Sequence, residues 1–590
     1  MIASILGGIL LFFPFLLITL FKDKKKGFVC ILFFSIIFYT VLAFFTQLFG
    51  VFYYWVIVLF SFLADIIALG FLWRFRQRIS FKIFKIDWVV ILVIIIAFLS
   101  LWQVHYNYTG KINLATDITV SYHEVKNMEY VYPYFSDEWY AVSLIKHSIN
   151  YHALPLWNDL NNSFFPNLEM FFHSFVAEIM LILNLDPLTQ YTLISILFNV
   201  LIICLAYIFL RINKVSKLAS AIASLSILYI TCGANLPGVW HFIPVHLGII
   251  FVLMGFCFIS LDNFFLAGLA SLLVIIFYGP LFIFYGPGLF VFAVLKFIKK
   301  TENVFRTFSY FFIALFLILP IIYIIFKVFP PGGFLGYVIK KLYYVSYSGL
   351  NIPQLFFFDV IPVWSICLFI LGLSKILKNK LWLFSIFSLA SFCWIFYSFN
   401  INRVVIEYER VVFFTSIVVV LISGFGLDWI EGRFRDFKFP VFKYTGGAVL
   451  IIFLLAHPFY TRTNNWDRLV LVNSINAVKS YPKSPANKYL TEDDLKIFQD
   501  IKNKRFLSIP WKGLVIGIST GNYPVGAKEG TMSAGSIQSV DEFIGSDCMG
   551  KLQVAEKEKL DYVYFSGFDC PGFKKINESS EKLILYKIEK

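Results

Sequence analysis

The sequence predicts an all-α polytopic membrane domain of about fourteen transmembrane helices, followed by a small external α/β domain. Three observations carry that prediction. Of 590 residues, 59% are hydrophobic and 20% aromatic against 15% charged, with a mean hydropathy of +0.77, which leaves too little polar surface for a water-soluble globule. Apolar runs of roughly 17 to 24 residues recur, each long enough to cross a hydrocarbon core of roughly 30 Å as a helix, where a barrel would show short alternating strands. The 50 Lys and Arg residues, set against 36 Asp and Glu for a net +14, cluster in short loops between those runs, which points to membrane orientation and away from nucleic acid.

The first run, Met1 to Phe21, ends in Lys22, Lys24, Lys25 and Lys26, and lacks a polar n-region and a small-residue cleavage site, so it reads as a retained helix. Runs follow at Phe28 to Leu48, Val51 to Trp73 and Trp88 to Val104, with Arg74, Arg76, Arg78, Lys82 and Lys85 between the last two. The positive-inside rule makes both basic loops cytoplasmic, the N-terminus external, and His105 to about Pro187 an external loop. Within it, Leu168 to Leu185 is apolar but carries Glu169, His173 and Glu178. As a span it would put Arg211, Lys214 and Lys217 outside, so it reads as an interfacial or re-entrant helix. Further spans fall at Leu188 to Leu210, Leu218 to Cys232, Val245 to Ser260, Phe264 to Tyr278, Phe284 to Ile298, Thr307 to Phe329, Leu355 to Ser374, Leu381 to Asn400, Val411 to Ile430 and Phe442 to Tyr460. The remaining basic loops are then cytoplasmic and both termini external. The Gly-Pro breaks between Tyr278 and Pro287 read as a turn between two spans, with a transporter's broken helix as the competing reading.

After Tyr460 the composition turns to that of a soluble module, residues 461–590. Thr491 with Asp494 three residues on is a capping-box start for a helix to about Asn503. Arg505 to Ile509, Leu514 to Ile518, Tyr562 to Phe565 and Leu583 to Ile588 read as strands, and Leu552 to Leu560 as a helix. Cys548 and Cys570 share this module, and a disulfide between them suits an oxidising exterior.

The chemistry is sought in the external loop, in FSDEWYAVSLIKHSINYHALPLWNDL, Phe135 to Leu160. Asp137 and Glu138 are adjacent acids ahead of an amphipathic stretch. With Ser136 as N-cap they serve a helix macrodipole; as carboxylates at a water-membrane boundary they suit general-base work, since partial desolvation raises basicity. Adjacent residues do not point the same way, so Asp137 is the first expectation for a base and Glu138 the second.

A helix leading into an external loop, an Asp-Glu pair, HALPLWNDL, and then FFPNLEMFFHSFVAEIMLILNLDP before the next span together resemble the GT-C membrane glycosyltransferases, in particular the protein mannosyltransferase and aminoarabinose transferase group. The resemblance covers about Trp88 to Tyr460, so residues 88–460 form the expected GT-C-like membrane domain with external loop 105–187, after extra helices in 1–87. The oligosaccharyltransferase sequence WWDYG is absent. In this superfamily the acid opening the first external loop is catalytic, juxtamembrane helices follow it, and the donor is usually a polyprenyl-phosphate sugar. The resemblance thus implies a multi-pass cell-envelope enzyme, with its active site on the outer face, that moves a sugar from a polyprenyl-phosphate carrier to an external lipid, glycan or protein acceptor with inversion.

Such a transfer also needs cations for the departing phosphate. Arg403 and Arg410, flanking Glu407 and Glu409 in an external loop, run against the inward bias of the other cations, and their planar forks suit phosphate; a plain Arg-Glu surface network is the alternative. Lys340 and Lys341 form a second external basic point, or snorkel to lipid headgroups. His241, near Trp240 and five residues before His246, is a substrate-contact candidate without metal-pair spacing, and Glu169 with His173 at i, i+4 offers a polar face to the cavity. No dedicated metal set is expected, although two adjacent acids can serve with or without a divalent cation. A flippase or transporter of lipid-linked saccharide, resting on Asp65 and Asp359 within spans, and a non-enzymatic scaffold are the rival classes.

Overall fold

The computed structural model describes residues 2–21, 23–75, 87–114, 123–165, 167–230, 238–298, 316, 360, 363–398, 408–435, 486–527 and 537–589. Two compact units emerge, each assembled from distant stretches of chain. Unit 1 comprises 1–41, 58–109 and 193–484, and unit 2 comprises 42–57, 110–192 and 485–590. The 110–192 segment and residues 485–590 thus fold as one body.

The membrane helices follow the apolar runs. They are α1 Ile2–Phe12, α2 Lys24–Leu48, α3 Tyr54–Arg74 and α4 Trp88–Tyr106. After the external loop come α7 Pro187–Ile212, α8 Lys217–Ser226, α9 Pro244–Ser260, α10 Phe264–Tyr278, α11 Phe282–Ile298, α12 Val363–Asn379, α13 Leu381–Ser398 and α14 Tyr408–Arg435. Seven described segments are long and apolar enough to cross a bilayer, which makes this a multi-pass membrane protein. One of them, Phe264–Ile298, runs 35 residues, well beyond the roughly 20 a span needs. A 3-10 turn at Gly279–Leu281 folds it back, so that Lys296 at its end meets Asp262 before its start at 2.8 Å. The Gly-Pro stretch is therefore a reversal, although Pro287 itself lies inside α11.

The expected span Leu218 to Cys232 is corrected: α8 holds only ten residues and passes into a 3-10 turn at Ile227–Tyr229. Ser216 caps its start and alternating Ala and Ser fill it, so it packs as a short buried helix. The expected spans Thr307 to Phe329 and Phe442 to Tyr460 lie outside the described residues. Close approach of α12 and α14 depends on two glycines, because a Cβ on Gly426 would fall 1.9 Å from the Leu368 carbonyl oxygen and one on Gly372 2.1 Å from that of Ile422.

One end of unit 1 gathers the basic loops. Asp87 takes Lys217 at 3.0 Å and the Tyr207 hydroxyl at 2.9 Å. The Ser216 N–H donates to Asp428, which also pairs with Lys375, both near 2.9 Å. Asn213 donates to Ser260 at 3.0 Å, beside the Asp262–Lys296 pair. Charged groups that hydrocarbon would strip of water are thus drawn together there.

In unit 2 the external loop supplies β1 Tyr108–Leu114, β2 His123–Met128, α5 Ser136–Tyr151, β3 Trp157–Asn158, β4 Ser163–Phe164 and α6 Met170–Ile182. Its C-terminal part supplies β5 Ala486–Lys488, α15 Glu492–Ile497, β6 Arg505–Ser508, α16 Pro510–Thr520, β7 Tyr523–Val525, α17 Ile537–Gly545, α18 Cys548–Lys557, β8 Tyr562–Ser566, β9 Phe573–Glu578 and β10 Leu583–Ile588. Five strands form one sheet in the order β7-β6-β8-β10-β9, with β6 parallel to β7 and β8, and β10 antiparallel to β8 and β9. At 13 residues α6 is about 20 Å long, short of a bilayer crossing.

The expected strand Leu514 to Ile518 is instead the middle of α16. A short apolar run does not distinguish strand from buried helix, whereas Pro510 in its first turn and Gly521 at φ 75° just beyond its end favour the helix. Thr491 and Asp494 form the anticipated reciprocal cap, although α15 stops at Ile497. Cys548 and Cys570 are bonded, with Cα atoms 5.3 Å apart.

Under the sheet, Lys512 is wholly buried between Asp494 at 2.5 Å and Glu581 at 2.7 Å, and the Tyr564 hydroxyl donates to Asp494 at 2.8 Å. Replacing Lys512 by Ala leaves two buried carboxylates without their cation, at a cost of about 3–5 kcal/mol. Thermal unfolding of the purified protein should show a clear drop in midpoint; an unchanged midpoint would contradict this role.

Candidate active site

The acid pair sits in the first turn of α5. Phe135, with extended backbone, occupies the N-cap, one residue earlier than the expected Ser136, which is itself helical. Glu138, three residues on, reaches back with its carboxylate to accept the Phe135 N–H at 3.4 Å, which is the half of a capping box that the third helical residue supplies. Glu138 is completely buried, and Asp137 beside it is half-buried. The two acids therefore stand in different surroundings, one folded into the helix start and the other at its rim.

Phenols surround the pair. Tyr489 is buried and coupled to both Asp137 and Glu138, Tyr140 to Asp137, and Tyr191 to Glu138. Burial, reinforced by these carboxylates, raises the Tyr489 and Tyr140 hydroxyls above the usual phenol range, so both stay protonated donors at neutral pH. The segment before α5 is EYVYPYF. Its Tyr130 ring stacks on Tyr134 at 5.1 Å and meets Tyr132 at 5.5 Å, while the Trp139 indole donates to the Pro133 carbonyl at 3.1 Å. The Tyr130 hydroxyl accepts the N–H groups of Tyr489 and Leu490 at 3.1 and 3.0 Å. This contact ties the acid-bearing turn to the C-terminal module, as do Lys146 donating to the Ile518 carbonyl at 2.6 Å and the parallel pairing of Ile112 with Ala486. The alternating tyrosines could have been noticed in sequence; Tyr489, some 350 residues away, could not.

Farther along the loop, His147 pairs with Asp159 at 2.8 Å. Glu169 occupies the N-cap of α6, half-buried, and its carbonyl lies 2.9 Å from His173 Nδ1, with Asn167 Nδ2 at 3.1 Å from the same nitrogen. One nitrogen cannot donate to the first and accept from the second, so the tautomer selects between them. Burial lowers His173 to about 3, partly offset by the Glu169 bond, and the ring is neutral in use. The next residue, Ser174, donates to Gln47 at 2.6 Å. Glu178 on the same helix is fully buried, and neither carboxyl oxygen has a hydrogen-bond partner among the described residues.

In unit 1, Arg410 opens α14. Its guanidinium donates to the Tyr278 hydroxyl at 2.9 Å and lies 5.3 Å from that ring's centroid. His246, coupled to Arg410 and His241, donates through Nε2 to the Gly238 carbonyl at 2.6 Å and accepts the Ile243 N–H through Nδ1 at 3.2 Å. His105 Nε2 lies 3.2 Å from the Trp240 carbonyl, and Asn199 donates to the His241 carbonyl at 2.7 Å. His241 is thus buried in a turn that side chains from α4, α7 and α9 hold. Arg403, Lys340, Lys341 and Asp359 lie outside the described residues. Asp65 is buried on α3 one turn from buried Ser61. Among the described residues no three His, Cys, Asp or Glu side chains converge as a metal site.

No protein-family model matches the sequence, and no curated protein does. Among solved structures the chain is similar to the archaeal oligosaccharyltransferase AglB of Archaeoglobus fulgidus in complex with an inhibitory peptide and a dolichol-phosphate, at 14% identity and a TM-score of 0.47, covering 82% of this chain and 70% of that one. The apo form of the oligosaccharyltransferase from the same organism matches at 13% identity and a TM-score of 0.48 over the same shares. Its complex with Zn and sulfate matches at 14% and 0.45, over 84% of this chain and 73% of that one.

Glu178 yields a pH prediction. Burial raises its carboxyl well above the usual value of 4.5, so the native state keeps a proton that the unfolded chain releases above that pH. Stability is lost as pH climbs from 4.5, by at most about 1.4 kcal/mol per unit. Glu178→Gln should raise the unfolding midpoint at pH 7.5 and leave it nearly unchanged at pH 4.5; a midpoint lowered equally at both would contradict the assignment.

Proposed function

We propose that this chain is a GT-C-type membrane glycosyltransferase that works on the outer face of a cell membrane and moves a sugar from a polyprenyl-phosphate donor to an external lipid, glycan or protein. The observation that carries this reading is the division of labour in the first turn of α5. Glu138 is consumed in capping the helix, while Asp137 stands half-buried beside protonated phenols. A partly desolvated carboxylate at such a position is a suitable base for an acceptor hydroxyl.

The reaction is a single displacement. Asp137 takes the acceptor proton as the acceptor oxygen bonds to the anomeric carbon, and the bond from that carbon to the phosphate oxygen breaks with its electron pair leaving on the phosphate. Inversion follows from one in-line attack. Arg410 and Arg403 are the cations we assign to the leaving phosphate, with Lys340, Lys341 and His241 as further contacts to the donor, and Glu169 and His173 as polar contacts to the acceptor side. No step is assigned to a metal. Whether a divalent cation joins Asp137 and Glu138 is read directly by adding a chelator. The positive-inside rule, applied to the basic loops, supports the outer-face orientation.

The test uses protein reconstituted in lipid, radiolabelled polyprenyl-phosphate sugars and membrane extract as acceptor source. Asp137→Asn should reduce transfer by about 10²- to 10⁴-fold with folding intact, whereas Glu138→Gln should mainly lower stability. Transfer unaffected by Asp137→Asn would overturn the base assignment. Absence of transfer from every donor, with lipid-linked sugar still bound, would favour the transporter; absence of binding as well would favour the scaffold.

A further inference from the structure

The basic end of unit 1 holds more positive charge than its acids neutralise. Lys25, Arg211 and Lys217 converge there from the start of α2, the end of α7 and the start of α8, close enough to repel one another. The nearby acids are spoken for. Asp87 is taken by Lys217 and the Tyr207 hydroxyl, and Asp23 accepts the N–H groups of Lys25 and Lys26 at 3.0 and 3.4 Å as it caps α2. Lys24 is turned aside to the Thr19 carbonyl at 2.9 Å. Lys25 and Arg211 have no carboxylate within ion-pair distance among the described residues. Arg211 spends one guanidinium nitrogen on the Val215 carbonyl, and its Nε is buried with no acceptor among the described residues. A buried donor left unmade costs about 1–3 kcal/mol, and two cations held together without a counter-ion cost more. Both costs vanish if an anion with several acceptor oxygens sits between them.

We propose that this end of unit 1 is a binding site for the phosphate of an anionic phospholipid, held between Arg211 and Lys25, with Lys26 and Lys214 at its margin. A phosphodiester supplies acceptors for the planar Arg fork and for a Lys point charge together. The site is at lipid-headgroup level: Trp88, the residue after Asp87, is 73% exposed, and Trp73 at the end of α3 is 71% exposed, as interfacial anchors are. The chemistry lies apart from sugar transfer, and the site stands or falls without the proposed enzyme activity.

The test is native mass spectrometry of the full-length protein titrated with dioleoyl-phosphatidylglycerol or dioleoyl-phosphatidylcholine. Wild type should retain the anionic lipid preferentially, and Lys25→Gln and Arg211→Gln should each weaken retention roughly five-fold. Arg211→Lys, which keeps the charge but loses the Nε donor, should fall between. Lys25 is half-exposed, so its variant keeps the test decisive if the Arg211 variants fail to fold. Equal retention of both lipids by wild type, undiminished retention by Lys25→Gln, or displacement of the lipid by millimolar inorganic phosphate would each overturn the proposal, the last by showing that the site takes a soluble anion.

Discussion

Hydrocarbon does not solvate charge, and that single constraint orders this protein. It sends the cations of unit 1 into loops, draws those loops together, and makes each acid there take a defined partner: Asp87 with Lys217, Asp428 with Lys375, Asp262 with Lys296. It also explains why α6, carrying Glu178, is too short to span. The more polar stretches of chain, 110–192 and 485–590, fold together in unit 2.

In unit 2 the start of α5 depends on both halves of its own unit. Glu138 satisfies the helix start from within, and Tyr130 anchors the preceding segment to the backbone at Tyr489 and Leu490. The buried Lys512 cluster then fixes the module from which Tyr489 extends, through Asp494, which both caps α15 and pairs with Lys512. Two acids adjacent in sequence acquire different duties because one backbone N–H at the helix start needs an acceptor and only Glu138 can reach it.

Much of this was legible beforehand, and the failures have physical causes. Long apolar runs announced the described membrane-crossing helices, because composition over some 20 residues averages out local ambiguity. The capping pair at Thr491 and the disulfide were also readable, being properties of a few named residues. The run Leu514 to Ile518 was not, since five apolar residues suit strand or helix equally. The cap at the start of α5 was placed one residue late because a Ser in that position is the commoner device. Tyr489, the closed environment of His241 and the crowding of Lys25 against Arg211 depend on contacts between residues far apart in the chain, to which no local pattern corresponds.

The most direct measurement of the central claim is photo-crosslinking with a polyprenyl-phosphate sugar that carries a photoreactive group on the sugar ring, followed by peptide mapping. If the acid-bearing turn is where the sugar is transferred, label falls on the segment from Tyr130 to Tyr140 or on Tyr489, and excess unlabelled donor removes it. Label confined to the basic end around Lys25 and Arg211, with none on the α5 turn, would contradict that claim.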